Sequence, residues 1–123
     1  MLYSALADEW LAYFQYWAAY NCTCGKGKTD VDPEFEQHAY EEFDHANKII
    51  QRIKELGGRS ICKIEGLNEL CSVPSEGACT DSPVELLTIT IEAEENAIKF
   101  YKELEAVSRG ADPTTNRLAK QIL

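Results

Sequence analysis

Glu42 and His45 stand three residues apart, a spacing that puts both side chains on one helical face within reach of a single metal ion. Carboxylate oxygen together with imidazole nitrogen suits iron or manganese, and zinc less exclusively. Alone the spacing is a weak signal, since Glu and His often fall three apart by chance. Two further glutamates, Glu9 and Glu94, add weight because each lies in the middle of an apolar and aromatic stripe. Leu2, Leu6, Glu9, Tyr13, Tyr16 and Tyr20 share one face at helical spacing. Phe35, His38, Glu42, His45, Ile49, Ile53 and Leu56 share a second, and Leu87, Ile91, Glu94, Ile98 and Tyr101 a third. An ionised carboxylate is costly to bury unless it is paired or binds a cation. No Lys or Arg lies in the mid-portion of these stripes. A multivalent cation therefore resolves the repulsion of three converging anions, and a glutamate bridging from another helix lets two metals sit side by side.

Each of these residues also has a plainer reading. Asp8 replaces Glu9 on the stripe if the helical phase is off by one, and His45 can be a core histidine hydrogen-bonded to Glu42. His38, one turn before Glu42, reads as a supporting or interface residue rather than a ligand. Glu92 and Glu95 read as solvated or intersubunit charges. Tyr13, Tyr16 and Tyr101 read as core residues whose hydroxyls satisfy ligands or water. Trp10 and Trp17, seven apart, form a separate stripe suited to a helix or subunit contact.

The elements that must position these residues are helical. The segment of about 2–21 has strong helix formers and no Gly or Pro, and Cys22 to Val31 reads as a turn. Asp32-Pro33 is a start signal for a helix of about 33–56, stopped by Gly57-Gly58. Residues of about 59–82 break the rhythm and are long enough to cross the whole bundle. Ser82-Pro83 opens a helix of about 83–109, and Asp112-Pro113 another of about 113–123 that ends with no stop signal. We read this last helix as incomplete. Two helical hairpins joined by one long crossover form an all-α, antiparallel four-helix bundle in a single domain over 1–123.

Composition narrows the function. The chain of 123 residues has 21 acidic and 12 basic residues, a net charge of -9 and a pI of about 4.6. That balance, with no basic tail at either end, disfavours direct DNA binding, which needs clustered Lys and Arg. No apolar run approaches the roughly 18 residues of a membrane span. No basic region precedes an apolar stretch at the N-terminus, so the expectation is a cytoplasmic protein. Five cysteines, an odd number without CxxC pairs, read as free thiols at Cys22, Cys24, Cys62, Cys71 and Cys79, with a redox or metal role for some of them as the alternative.

The segments ALADEWLAYFQYW, EFEQHAYEEFDHANKIIQRIKELGG and EAEENAIKFYKEL resemble the ferritin-like di-iron proteins, closest to the Dps-like and bacterioferritin-like branches. The resemblance covers nearly the whole chain and is weakest in the crossover. It implies a ferritin-like bundle that oxidises Fe(II) with oxygen or hydrogen peroxide at a carboxylate-bridged di-iron site. It also implies iron storage and peroxide detoxification in a homo-oligomeric cage, with a dodecamer favoured. By position, Glu9 looks like the first-helix ligand, Glu42 the bridging carboxylate, His45 the imidazole of the first Glu-x-x-His and Glu94 the third-helix ligand. The family's fourth helix supplies a second Glu-x-x-His, whereas this sequence stops at RLAKQIL. We read the sequence as cut short there. Some relatives pair a loop cysteine with one on the third helix; here the helix position is Asn96, and Cys79 is the loop thiol to watch. Two alternatives stand beside this reading. One is a rubrerythrin-like or manganese-catalase-like di-metal peroxidase, and the other is a metal-free helical assembly module.

Overall fold

The computed structural model describes residues 1–22, 28–73, 80 and 82–123, with side chains throughout these except at 22 and 28–31. Its elements are α1 (Leu2–Cys22), α2 (Lys28–Glu55), the short α3 (Leu67–Leu70), α4 (Pro83–Ser108) and α5 (Pro113–Ile122). Among the described residues there is no strand, and no helix is long and apolar enough to cross a membrane.

Local chemistry accounts for most helix ends. Ser82 caps α4 by accepting the Glu85 amide, with Pro83 at the first helical position, where its missing N–H costs nothing. Asp112 caps α5 through the Thr115 amide at 3.0 Å, again followed by proline. Gly57 closes α2 in the left-handed conformation at φ 82, and the Gly58 amide reaches back to the Ile53 carbonyl. Gly58 has a second role. A Cβ there would stand 2.7 Å from Ile53 Cγ2 and 2.9 Å from the Tyr3 hydroxyl.

The start of α2 corrects the sequence reading. The helix begins at Lys28, not at Pro33, so Pro33 sits inside it and residues 28–31 are not a turn. Proline forgoes one intrahelical bond, but its fixed φ is already helical, so the chain winds on through it. The crossover contains the short α3. Of the thiols, Cys62 and Cys71 are free. Cys24 and Cys79, with the side chain of Cys22, lie outside the described residues.

Long-range bonds set the topology. The Tyr3 hydroxyl donates to the Arg59 carbonyl at 2.8 Å, which puts the start of α1 beside the end of α2. The Ser72 amide then donates to Asp8 Oδ1 at 2.7 Å, so the crossover climbs along α1 before α4 begins. Leu86, early in α4, packs with Tyr16, Ala19, Phe35 and Ala39. Tyr101 and Leu104, late in α4, pack with Leu6, Ile49 and Ile53 and with Leu118 of α5. Hence α4 runs antiparallel to α1. At this same end Arg52 of α2 clamps Asp112 at 2.8 and 2.9 Å and donates to the Thr115 hydroxyl at 3.0 Å.

Two apolar clusters therefore lie one at each end of the bundle, and a polar layer separates them. The third stripe read from the sequence is corrected here. Leu87, Ile91 and Ile98 are exposed, and so is Leu56 of the second stripe. The covered line of α4 runs instead through Leu86, Tyr101, Leu104 and Ser108. The ten residues of α5 span about 15 Å and cover only the late part of α4.

Candidate metal centre

The polar layer is built from three helices. On α1 Glu9 follows Leu6 by three residues and is 4% exposed; on α2 Glu42 precedes Ala46 by one turn and is 8% exposed. The apolar clusters above and below keep these carboxylates largely out of water, although they line a cavity of about 460 Å³. His45, one turn after Glu42, turns its Nδ1 to both: it lies 3.2 Å from Glu42 Oε2 and 3.3 Å from Glu9 Oε2. One ligand atom from each of Glu9, Glu42 and His45 falls within 4.8 Å of the others.

The electrostatics follow from that crowding. Burial pushes the Glu42 carboxyl up to about 7, against the pull of His45. The bonds to Glu42 and then Glu9 push the His45 imidazole up to about 10. Without a metal, protonated His45 is thus the counter-ion of the pair, a cation that the search for Lys and Arg overlooks. Glu9 Oε2 is buried and is met only by this long ion pair to His45 Nδ1, with no well-formed hydrogen bond. Two carboxylates and one imidazole nitrogen, each with one ligand atom turned to the others, form a donor set that fits a divalent first-row cation.

Glu94 lies on the opposite wall. It is half-buried on α4 and lines the same cavity of about 460 Å³ as Glu9, Glu42 and His45. Its carboxylate stands outside the three-residue group, and its Oε1 accepts the Tyr16 hydroxyl at 2.5 Å. His38 stacks on the Tyr16 ring, with centroids 5.0 Å apart, and directs Nδ1 to Glu41 at 3.3 Å. Asp8 is occupied by the Ser72 amide, and burial raises its carboxyl. Glu92 and Glu95 are exposed.

Sequence reasoning missed which carboxylate each tyrosine serves. Tyr101 is buried and its hydroxyl donates to Glu9 Oε1, across from α4 to α1. Tyr16 makes the reverse bond, from α1 to Glu94 on α4. A signal was present: Glu9-x6-Tyr16 and Glu94-x6-Tyr101 repeat one seven-residue spacing. It becomes legible only once α1 and α4 are known to be antiparallel neighbours.

Comparison with known proteins agrees with this architecture. The family described as Ferritin-like domain matches residues 1–123. The DNA protection during starvation protein of Pyrococcus furiosus is 29% identical over 124 residues, spanning 100% of this chain and 67% of that protein. A solved structure, the dodecameric thioferritin described as the bacterioferritin-related protein from Bacteroides fragilis, superposes with a TM-score of 0.93 at 38% identity. The match covers 99% of this chain and 73% of that one.

Proposed function

The chain belongs to the ferritin-like domain family, and on that premise we propose that it is a ferroxidase-type iron-storage subunit. Its substrates are Fe(II) and an oxidant, either oxygen or hydrogen peroxide, so that iron deposition also removes peroxide. Glu9, Glu42, His45 and Glu94 hold a di-iron centre, in which manganese or zinc can compete for the same donors. The observation that carries this reading is the buried Glu9 Oε2, without a well-formed hydrogen bond, facing Glu42 and His45. Its ion-pair partner among the described residues is His45 Nδ1 at 3.3 Å, a place a bound cation would take.

Iron bound there supplies the electrons that reduce the oxidant. The chain's own part is to hold the donors in place between apolar walls. Leu6, Ala46 and Ile49 close the layer on one side, and Tyr16, Phe35 and Ala39 on the other. His45 must give up its Nδ1 proton, or present its other nitrogen, to act as a ligand.

A homo-oligomeric cage is supported by the dodecameric state named for the similar Bacteroides fragilis protein. The surface suits it. Phe14 and Trp17 stack at 6.0 Å and are exposed, and the exposed Phe43 packs edge-on to Trp10. An aromatic ridge of this kind on α1 and α2 is a subunit contact in our reading. DNA protection is named for the Pyrococcus furiosus relative; with a net charge of -9 we assign this chain no direct DNA contact.

The test is aerobic addition of Fe(II), followed by near-ultraviolet absorbance and by size-exclusion with iron analysis. Oxidation above the buffer rate, with iron eluting in a large assembly and both lost in Glu42→Ala, is the expected result. Two irons per chain without mineral would point to a di-metal peroxidase. Oxidation no faster than buffer in both proteins would overturn the reading.

A further inference from the structure

Ile61 packs against an apolar cluster, but the crossover beyond it keeps little of itself out of water. Ile64, Leu70 and Val73 are 84, 42 and 50% exposed, and α3 has no buried residue. The hydrogen bonds of this stretch run along it: the Cys71 amide donates to the Leu67 carbonyl and the Cys71 thiol to the Asn68 carbonyl, both at 3.0 Å. The bond that reaches a long helix goes from the Ser72 amide to Asp8 Oδ1 at 2.7 Å. The Ser72 side chain meets the same carboxylate. A segment with few buried apolar contacts, held at a polar anchor, opens locally at low cost.

The anchor stands beside the metal centre. Ser72 and Val73 line the cavity of about 460 Å³ that also takes in Glu9, Glu42, His45 and Glu94. Asp8 lies on the wall of that cavity and directly precedes Glu9 in α1. Release of Ser72 from Asp8 therefore uncovers the cavity one residue away from a donor, with the apolar packing of α1 and α2 left in place.

We infer that residues 67–73 are a gating strap over this cavity, latched by the bond from the Ser72 amide to Asp8, and that opening of the latch sets the rate at which cations enter and leave the centre. This rests on the metal-centre reading above. It gives neighbouring carboxylates on α1 separate tasks: Glu9 binds the cation, and Asp8 holds the strap.

The test is stopped-flow capture of Co(II) by the metal-free chain, followed by its visible absorption, and release of the bound Co(II) to excess EDTA. Ser72→Pro removes the amide donor and keeps the charge of Asp8. The backbone of Cys71, at φ -63 and ψ 156, already suits a following proline. This variant should speed capture and release alike, about 10-fold for a bond to a charged acceptor, with the affinity unchanged. Asp8→Ala should also speed both, and Asp8→Asn, which keeps an acceptor oxygen, should do so less. Unchanged rates in Ser72→Pro would overturn the inference. So would slower capture in both Asp8 variants, which would make Asp8 an attractor of cations rather than a latch.

A readout without metal is alkylation of the half-buried Cys71 by iodoacetamide, resolved by mass spectrometry against the exposed Cys62. Ser72→Pro should speed Cys71 about 10-fold relative to Cys62, by the same loss of the anchoring bond; an unchanged ratio would overturn the strap. If Glu42→Ala leaves Co(II) binding intact, the metal-centre reading fails instead, and the Cys71 ratio still decides whether the strap opens at Asp8.

Discussion

Phe35, Leu6 and Ile49, the largest fully buried side chains, all belong to α1 and α2, whereas α4 leaves Leu87, Ile91 and Ile98 at 38, 59 and 42% exposed. The α1–α2 pair also supplies all three groups that converge within 4.8 Å, while Glu94 of α4 stands apart in the hold of Tyr16. Charged groups can be brought together where apolar walls on both sides leave them no other position. Where the wall is thinner, a hydrogen bond from the neighbouring helix has to do the holding. The centre thus sits on a boundary between a tightly packed pair and a looser one.

That contrast can be broken most directly in the core. Phe35→Ala should cost about 3–5 kcal/mol in urea unfolding, as for other buried phenylalanines. Ile91→Ala should stay within about 0.5 kcal/mol, as for an exposed site; comparable losses would erase the distinction. Next in size is the cation itself. Co(II) at about a hundred times its dissociation constant should stabilise the chain by about 2.7 kcal/mol. A thermal shift measures this, and Glu42→Ala should remove it; an undiminished shift in that variant would place the cation elsewhere.

The end of the tight pair offers a smaller effect. Gly58→Ala should cost about 1–3 kcal/mol, because the added Cβ meets the buried Ile53 side chain with little room to move. No loss would show that the junction of α1 and α2 yields more easily than its packing implies. The smallest effect concerns the clamp between α2 and α5. Thr115, through its hydroxyl and its amide, and then Arg52 hold the Asp112 carboxyl far below the usual range. A depressed folded value contributes stability in full above the unfolded value, and that contribution is lost as pH falls below about 4. The melting temperature of Asp112→Asn should therefore lie below that of the wild type near neutrality and converge with it in acid. A gap that stays constant with pH would show that the charge of Asp112 is irrelevant.

How much of this was legible in the sequence depends on the range of the interaction. Glu42-x-x-His45 could be read because the neighbours on one helix face are fixed by spacing alone. Ser82-Pro83 and Asp112-Pro113 could be read because a cap is a contact within four residues. Asp32-Pro33 carries the same pattern inside α2, where the helix continues through the proline despite the bond it forgoes. The face of α4 was misread because Leu87, Ile91 and Ile98 have the right spacing for a core, and only the placement of α5 shows which line is covered. The partners of Tyr16 and Tyr101 lie 78 and 92 residues away. No local pattern supplies them.

The Asp8–Ser72 bond ties the crossover to α1 across 64 residues of chain. In folding terms it closes a large loop, whose entropy cost falls due before α4 can dock. The α1–α2 hairpin can zip up from contacts closer in sequence, such as Tyr16 with Phe35, so it has the means to form first. The Ser72 amide then becomes a reporter. Its exchange with solvent deuterium tracks the opening of the crossover, separately from the melting of the hairpin beneath it.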